Sequence, residues 1–367
     1  MTEIRCDMST VKAAVLGGCL LGGGGGGSKI QGFALGELAV QVGQPKIASI
    51  SSLNSDDKLL TVALVGSPAS PGVFVKPIHY SRSVELVMGE LKYDIAGLIT
   101  NENGAVATIN GWFQSAITGI PVVDAPCNGR AHPTGAMGSM GLDCLEDYMS
   151  IQSFAGGGGS HPYAEGVVRS TLNVASGLVR QASIGAGGFV AVARNPVEAS
   201  YVKQHGAPGA ISQAIQVGQV IVDNMADGGT KVAEACAELL GGRVAFVGNV
   251  EKVRLDIDGG FDVGEVIVKD SESSLNMTFW NEYMTADNSR SQERVATFPD
   301  LIATLDYESG EPLTTAEIRK GQKVVVLVVP KEGLRLSSTM YRKDLLEKVE
   351  SVLGEAIVDY VFDTSRR

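Results

Sequence analysis

Ile95-Ala96-Gly97-Leu98-Ile99-Thr100-Asn101-Glu102-Asn103-Gly104 runs apolar for the length of a strand, then stops at two amides, a carboxylate and a glycine. An apolar run without alternation fits a strand covered on both faces, the setting of parallel sheets with crossover helices. Such sheets collect ligands at the carboxyl ends of their strands. Asn101 and Glu102 therefore stand where chemistry is expected. Glu102, leaving a buried strand, is a candidate acid or base with raised proton affinity. Asn103 is equally explained as a helix cap.

Two more runs share this pattern. Residues 59–66 are continuously apolar and enter a Pro- and Gly-rich loop at 66–72. Pro121-Val122-Val123-Asp124 enters Ala125-Pro126-Cys127-Asn128-Gly129-Arg130-Ala131-His132-Pro133. Helical spacing fills 9–21, with Ser9 or Thr10 as its cap, and then 30–42, 80–91 and 105–118. The alternation predicts an α/β domain over 1–240 with a mostly parallel sheet. Residues 164–180 read as helix, 189–193 as strand, and 211–240 as helix broken at Gly228-Gly229. Beyond Gly241 short strand-like runs follow one another without helices, predicting a β-barrel-like domain over 241–334. The tail, 335–367, reads as a helix and a strand (356–362) that pack back on the first domain.

Upstream lies Leu20-Leu21-Gly22-Gly23-Gly24-Gly25-Gly26-Gly27-Ser28-Lys29. Glycine loses the most backbone entropy on ordering, so an ordered run needs a reason. One reason is close approach of bare backbone to a polar group, here through Gly24, Gly25 and Gly26. The bland alternative is a flexible loop. The run satisfies G-x-G-x-x-G trivially, but it follows a helix rather than a strand and lacks the P-loop Lys-Ser/Thr pair. No nucleotide cofactor is expected.

The 367 residues carry a net charge of −11 and no basic stripe, which argues against nucleic acid or an anionic membrane as partner. No apolar run is long enough to span a bilayer. The N-terminus lacks the pattern of a signal peptide, and the five cysteines show no disulfide or metal spacing. A cytoplasmic protein acting on a small molecule, possible as a homo-oligomer, is the expectation.

Four constellations can carry chemistry. Asp124, Asn128, Arg130 and His132 end a strand together: Asp124 and His132 as metal ligands or bases, Arg130 as a bidentate carboxylate clamp, Asn128 as a polar contact. Helix capping by Asp124 is the structural alternative. Asn101 and Glu102 form the second. His161, after Gly156–Gly159, is a third, a metal ligand or base beside Asp124 and His132 if a divalent metal such as zinc is bound. The fourth is Asn281-Glu282 between Trp280 and Tyr283, a polar pair able to reach the first domain's loops. Cys127 is a less favoured nucleophile.

These motifs together resemble one family. Leu20–Gly25 is similar to its opening LGxGGGG, and 121–131 to its PVVDAxxxGRA. Residues 279–282, 296–302, Asp306 and 310–315 resemble its C-terminal signature. The family is the DUF917 or S-methyl thiohydantoin desulfurase-like group, often placed beside hydantoinase/oxoprolinase proteins. The resemblance runs from about Val11 to Tyr360. It implies an α/β domain, a C-terminal β-barrel-like domain, and hydrolysis of a five-membered cyclic ureide or its thio analogue, with a bound metal as an option. Here His132 stands where many members carry Phe, and Asn101–Gly104 replaces an acidic turn. The alternative function is a non-catalytic subunit working with a hydantoinase/oxoprolinase partner. On the enzyme reading, His132→Ala is expected to abolish turnover with little change in Tm.

Overall fold

The computed structural model describes residues 3–66, 75–159 and 161–362. The first sheet holds β1 (Glu3–Arg5), β2 (Lys46–Ala48), β3 (Lys58–Gly66), β4 (Gly97–Thr100), β5 (Val122–Val123), β6 (Ser150–Gly158), β7 (His161–Ser170) and β8 (Phe189–Glu198). Their spatial order is β1-β2-β5-β4-β3-β8-β6-β7. The centre β2-β5-β4-β3 is parallel, as the apolar runs predict. Both flanks are antiparallel, so the sheet is mixed rather than mostly parallel.

The difference arises at 150–170. The expected helix over 164–180 is strand β7 followed by α5 (Leu172–Gly185). Gly157, Gly158 and Gly159 have φ of +78°, +88° and +76° and close a hairpin from β6. Tyr163, Val167 and Val168 then favour the pleat over a helix. Of the loop expected at 66–72, residues 67–72 lie outside the described residues.

The remaining helices are α1 (Met8–Leu21), α2 (Lys29–Val42), α3 (Pro77–Met88), α4 (Trp112–Thr118), α6 (Ala199–His205), α7 (Ala210–Asn224), α8 (Gly229–Leu240), α9 (Lys343–Leu353) and α10 (Val358–Phe362). Asp7, not Ser9 or Thr10, caps α1, accepting from Thr10 N at 2.8 Å. The predicted helix over 105–118 is confined to α4, because Gly111 takes φ +102° and the chain before it is a series of turns. The tail's predicted strand is α10. Its Val358 and Val361 join α9's Leu346 and Val349 around Trp280, Phe298 and Met137, and only a helix puts 358 and 361 on one face.

The second sheet is antiparallel throughout: β9 (Arg243–Asp258), β10 (Phe261–Lys269), β11 (Ser274–Trp280), β12 (Glu282–Asn288), β13 (Glu293–Thr297), β14 (Leu301–Asp306), β15 (Pro312–Leu313) and β16 (Lys323–Val329). Its order, β13-β12-β11-β10-β9-β16-β14-β15, ends at β13 and β15. Among the described residues no ladder joins those two, so the closure of a barrel is not formed.

Helices α1, α7 and α8 bind the sheets together. Leu16, Leu20 and Leu21 of α1 share one core with Val217, Val232 and Leu240 and with Leu301, Leu305, Val325 and Leu327 of the second sheet. α1 and α7 cross at glycines: a Cβ on Gly17 would lie 1.8 Å from the Ala214 carbonyl oxygen, and one on Gly218 1.7 Å from that of Ala13. Backbone cannot yield as a side chain can. Gly218→Ala is therefore expected to destabilise the fold by about 2–3 kcal/mol, read as a lower midpoint in urea unfolding; an unchanged midpoint contradicts this crossing.

Candidate functional site

The glycine run is the joint between the sheets. Gly23, Gly24, Gly26 and Gly27 have φ of +57°, +100°, +79° and +89°, which disfavours any side chain there. The carbonyl of Gly23 accepts from Tyr283 N at 2.8 Å, that of Gly24 from Thr315 N at 2.9 Å, and that of Gly26 from Val106 N at 3.0 Å. The second sheet is thereby tied to the segment that follows β4. A Cβ on Gly25 would lie 1.9 Å from Glu282 Oε1, and one on Gly26 2.3 Å from Gly104 Cα. The run is ordered because its neighbours occupy the space that side chains would need.

Beside this joint is a cavity of about 80 Å³ into which Asn101, Glu102, His132, Arg180, Arg194 and Glu282 project. Gly26, Gly27 and Asn281 also line it. Drug-sized sites measure roughly 300–1,000 Å³, and this cavity is smaller. Asn101, Glu102 and His132 come from the carboxyl edge of the first sheet. Asn281 and Glu282 come from the sharp turn between β11 and β12, where Asn281 holds φ +59° and its side chain accepts from Asp262 N at 2.8 Å.

One chain of hydrogen bonds orders the floor. Arg194 Nη2 donates to Asn101 Oδ1 at 2.6 Å. The amide nitrogen of Asn101 then faces His132 Nε2 at 3.2 Å and Glu102 Oε2 at 3.3 Å. Glu102 Oε2 also accepts from His132 N at 3.2 Å and lies 3.3 Å from His132 Nε2. An Nε2 lone pair would accept from the Asn101 amide, whereas an Nε2–H would donate to Glu102.

Burial dominates the electrostatics. It pushes the Glu102 carboxyl up to about 8, against the opposing pull of the His132 N–H, Arg194, Asn101 and Arg130. Burial, reinforced by Glu102, holds Glu282 well above the carboxylate range, and Glu282 Oε2 has no hydrogen-bond partner. His132 is pushed down to about 3 by burial and by Arg194. Burial thus favours the neutral form of both carboxyls and of the imidazole.

Other expected residues sit elsewhere. Asp124 does not line the cavity. Its carboxylate accepts from Ile211 N at 2.8 Å and from Ser212 Oγ at 2.5 Å, capping α7 from across the fold. Asn128 is fully buried as a loop staple, accepting from Gly129 N and Ser337 N and donating to the Arg130 carbonyl. Arg130 is also fully buried and outside the cavity lining. Its Nη1 donates to the Pro299 and Asp300 carbonyls at 3.0 and 2.5 Å, and Phe298 lies 4.5 Å beneath it. Gly24 and Gly25 stand behind Gly26, with Gly25 against Glu282. His161 is exposed at the start of β7. The Cys127 thiol is buried against Thr61 and pushed up to about 11 by burial, which suppresses thiolate.

The proposed metal ligands do not fit a cation. Among the described residues no three His, Cys, Asp or Glu side chains converge, so Asp124, His132 and His161 are not a ligand set. Arg180 and Arg194 further oppose positive charge in the cavity.

Arg180 and Arg194 escaped the sequence reading. The strand predicted over 189–193 stops one residue before Arg194, although a lone cation closing an apolar run was the available signal. Arg180, on α5, gave none.

A small cavity lined by buried carboxyls thus lies between a mixed and an antiparallel sheet. The chain belongs to the S-Me-THD-like (S-methyl thiohydantoin desulfurase-like) family: its N-terminal domain model matches residues 9–157 and its C-terminal domain model residues 170–338. A crystal structure of a protein from Chromobacterium violaceum shares the fold, with a TM-score of 0.76 over 96% of both chains at 19% identity. No curated protein matches the chain. No helix among the described residues is long and apolar enough to cross a membrane.

The shifts predict a characteristic stability profile. Glu102 binds its proton more tightly folded than unfolded, so its contribution is full below pH 4.5 and is lost as pH rises to about 8. His132 does the reverse, withdrawing stability as pH falls from 6.5 towards 3. Urea unfolding across pH 5–9 is expected to show stability falling at the alkaline end, with Glu102→Gln flattening that limb only. Because His132 is 6% exposed, His132→Ala should lower Tm as well, unlike the expectation from sequence.

Proposed function

We propose that this protein is a hydrolase acting on a five-membered thiohydantoin-type or cyclic ureide ring. The observation that carries this reading is the pair Glu102 and Glu282, two buried carboxyls of raised proton affinity that face one small cavity from different sheets: Glu102 accepts from His132 N and Asn101, whereas Glu282 Oε2 has no hydrogen-bond partner. Environments that split two titratable groups in this way assign the base and the acid. The family's name supplies the ring and the bond.

On an S-methylated thiohydantoin, water adds to the carbon bearing sulfur. Glu102, whose ionised form the His132 N–H, Arg194 and Asn101 favour, takes a proton from that water as the C–O bond forms. Glu282 keeps its proton and delivers it to the departing sulfur as the C–S bond breaks, giving hydantoin and methanethiol. The Glu102 proton then passes to Glu282, restoring both groups. Burial strengthens each transfer by excluding water.

The test is a panel of S-methyl thiohydantoins, thiohydantoins, hydantoins and lactams, read by thiol release and by loss of ring absorbance. Turnover of the S-methylated ring is expected, with kcat reduced about 10²–10⁴-fold in Glu102→Gln and Glu282→Gln. In the wild type kcat/KM should rise with pH and level off above about 8, as Glu102 loses its proton. Full activity in Glu282→Gln would sink the assignment.

A further inference from the structure

His132 has two ring nitrogens in different circumstances. Nε2 faces the amide nitrogen of Asn101 at 3.2 Å, whereas Nδ1 is buried and has no hydrogen-bond partner. Asn101, together with Glu102 Oε2 at 3.3 Å from Nε2, decides which nitrogen carries the proton. Were the amide turned over, its oxygen would meet Nε2 and require the proton there. Arg194 prevents this. A guanidinium can only donate, so the atom it meets at 2.6 Å must be Oδ1. Arg194 is 3% exposed and has no carboxylate partner among the described residues, which makes Asn101 its principal anchor.

We propose that the Arg194–Asn101 pair fixes His132 as the Nδ1–H tautomer, so that His132 serves the cavity as a neutral hydrogen-bond donor, neither a base nor a metal ligand. Arg194 and Asn101 are then positioning residues. The donor meets an oxygen or sulfur of the bound ring that gains negative charge during reaction. A neutral imidazole suits this task, because it polarises the acceptor without releasing a proton of its own. The low proton affinity of the ring, held down by burial and by Arg194, agrees with this geometry.

The tautomer can be read without any assay of turnover. In ¹⁵N-histidine spectra of the full chain, the two neutral tautomers give distinct nitrogen shifts, and the four histidines are assigned with His132→Gln. The wild type is expected to show His132 as a single neutral Nδ1–H form between pH 6 and 8. Arg194→Met and Asn101→Ala should each convert it to a mixture or to Nε2–H, and Arg194→Lys, which keeps a donor for Oδ1, should retain the wild-type form. An Nε2–H ring in the wild type, or an unchanged ring in Asn101→Ala, overturns the proposal. Asn101→Ala serves on its own if Arg194→Met does not fold.

The kinetic arm rests on the hydrolase reading. There kcat should fall about 10–100-fold in either variant, the range for partners that orient a reacting group. The Arg194→Met/Asn101→Ala double variant should lose no more than the worse single one. Additive losses mean that Arg194 does not act through Asn101 and refute the relay. If no ring is turned over but the tautomer responds as stated, the hydrolase reading fails and the assignment of His132 stands.

Discussion

Glu282 Oε1 occupies the space where Gly25 would carry a side chain. That steric constraint fixes the relation of the two sheets. The carboxyl can be buried at the joint only because the opposing chain is bare backbone, and the backbone is bare over a run because Gly23, Gly24, Gly26 and Gly27 each adopt left-handed conformations around it. Carbonyls of the same run accept from Tyr283, Thr315 and Val106, so the loop is held from both sides. The entropy cost of ordering glycines is offset by these bonds and by the shared core beneath them.

The electrostatics of the cavity follow from that closeness. Four neighbouring groups favour ionised Glu102, yet desolvation outweighs them and the proton stays bound near neutrality. Arg180, Arg194 and Arg130 are lowered by the same burial, Arg180 and Arg130 to about 10, and stay charged. The result is a set of fixed positive donors around carboxyls that remain neutral until a local change moves a proton.

Much of this was legible in the residue pattern. Apolar runs at 59–66 and 95–100 marked buried parallel strands, and the polar residues directly after 95–100 marked the floor of the cavity. Asn281-Glu282 was legible because a carboxylate between two aromatics at a strand end has few structural uses. Other parts were hidden for physical reasons. Residues 164–170 have the apolar content of either a helix or a strand, and the hairpin that decides the matter depends on the φ of three glycines. Asp124 ends its strand as a site residue would, but its oxygens are taken by a helix nearly ninety residues later in the chain, a long-range pairing that local spacing does not report. Arg194 lies within a strand whose apolar run stops short of it, and its importance comes from one contact with Asn101.

The division of the cavity between the sheets has a further consequence. Glu102, His132 and Arg194 belong to one sheet and its loops, and Glu282 to the other, while the glycine joint forms only when both are in place. In a partly folded chain each carboxyl is wetted and titrates as an ordinary acid. The cavity's proton affinities are therefore a property of the assembled molecule, absent from a nascent or locally opened chain.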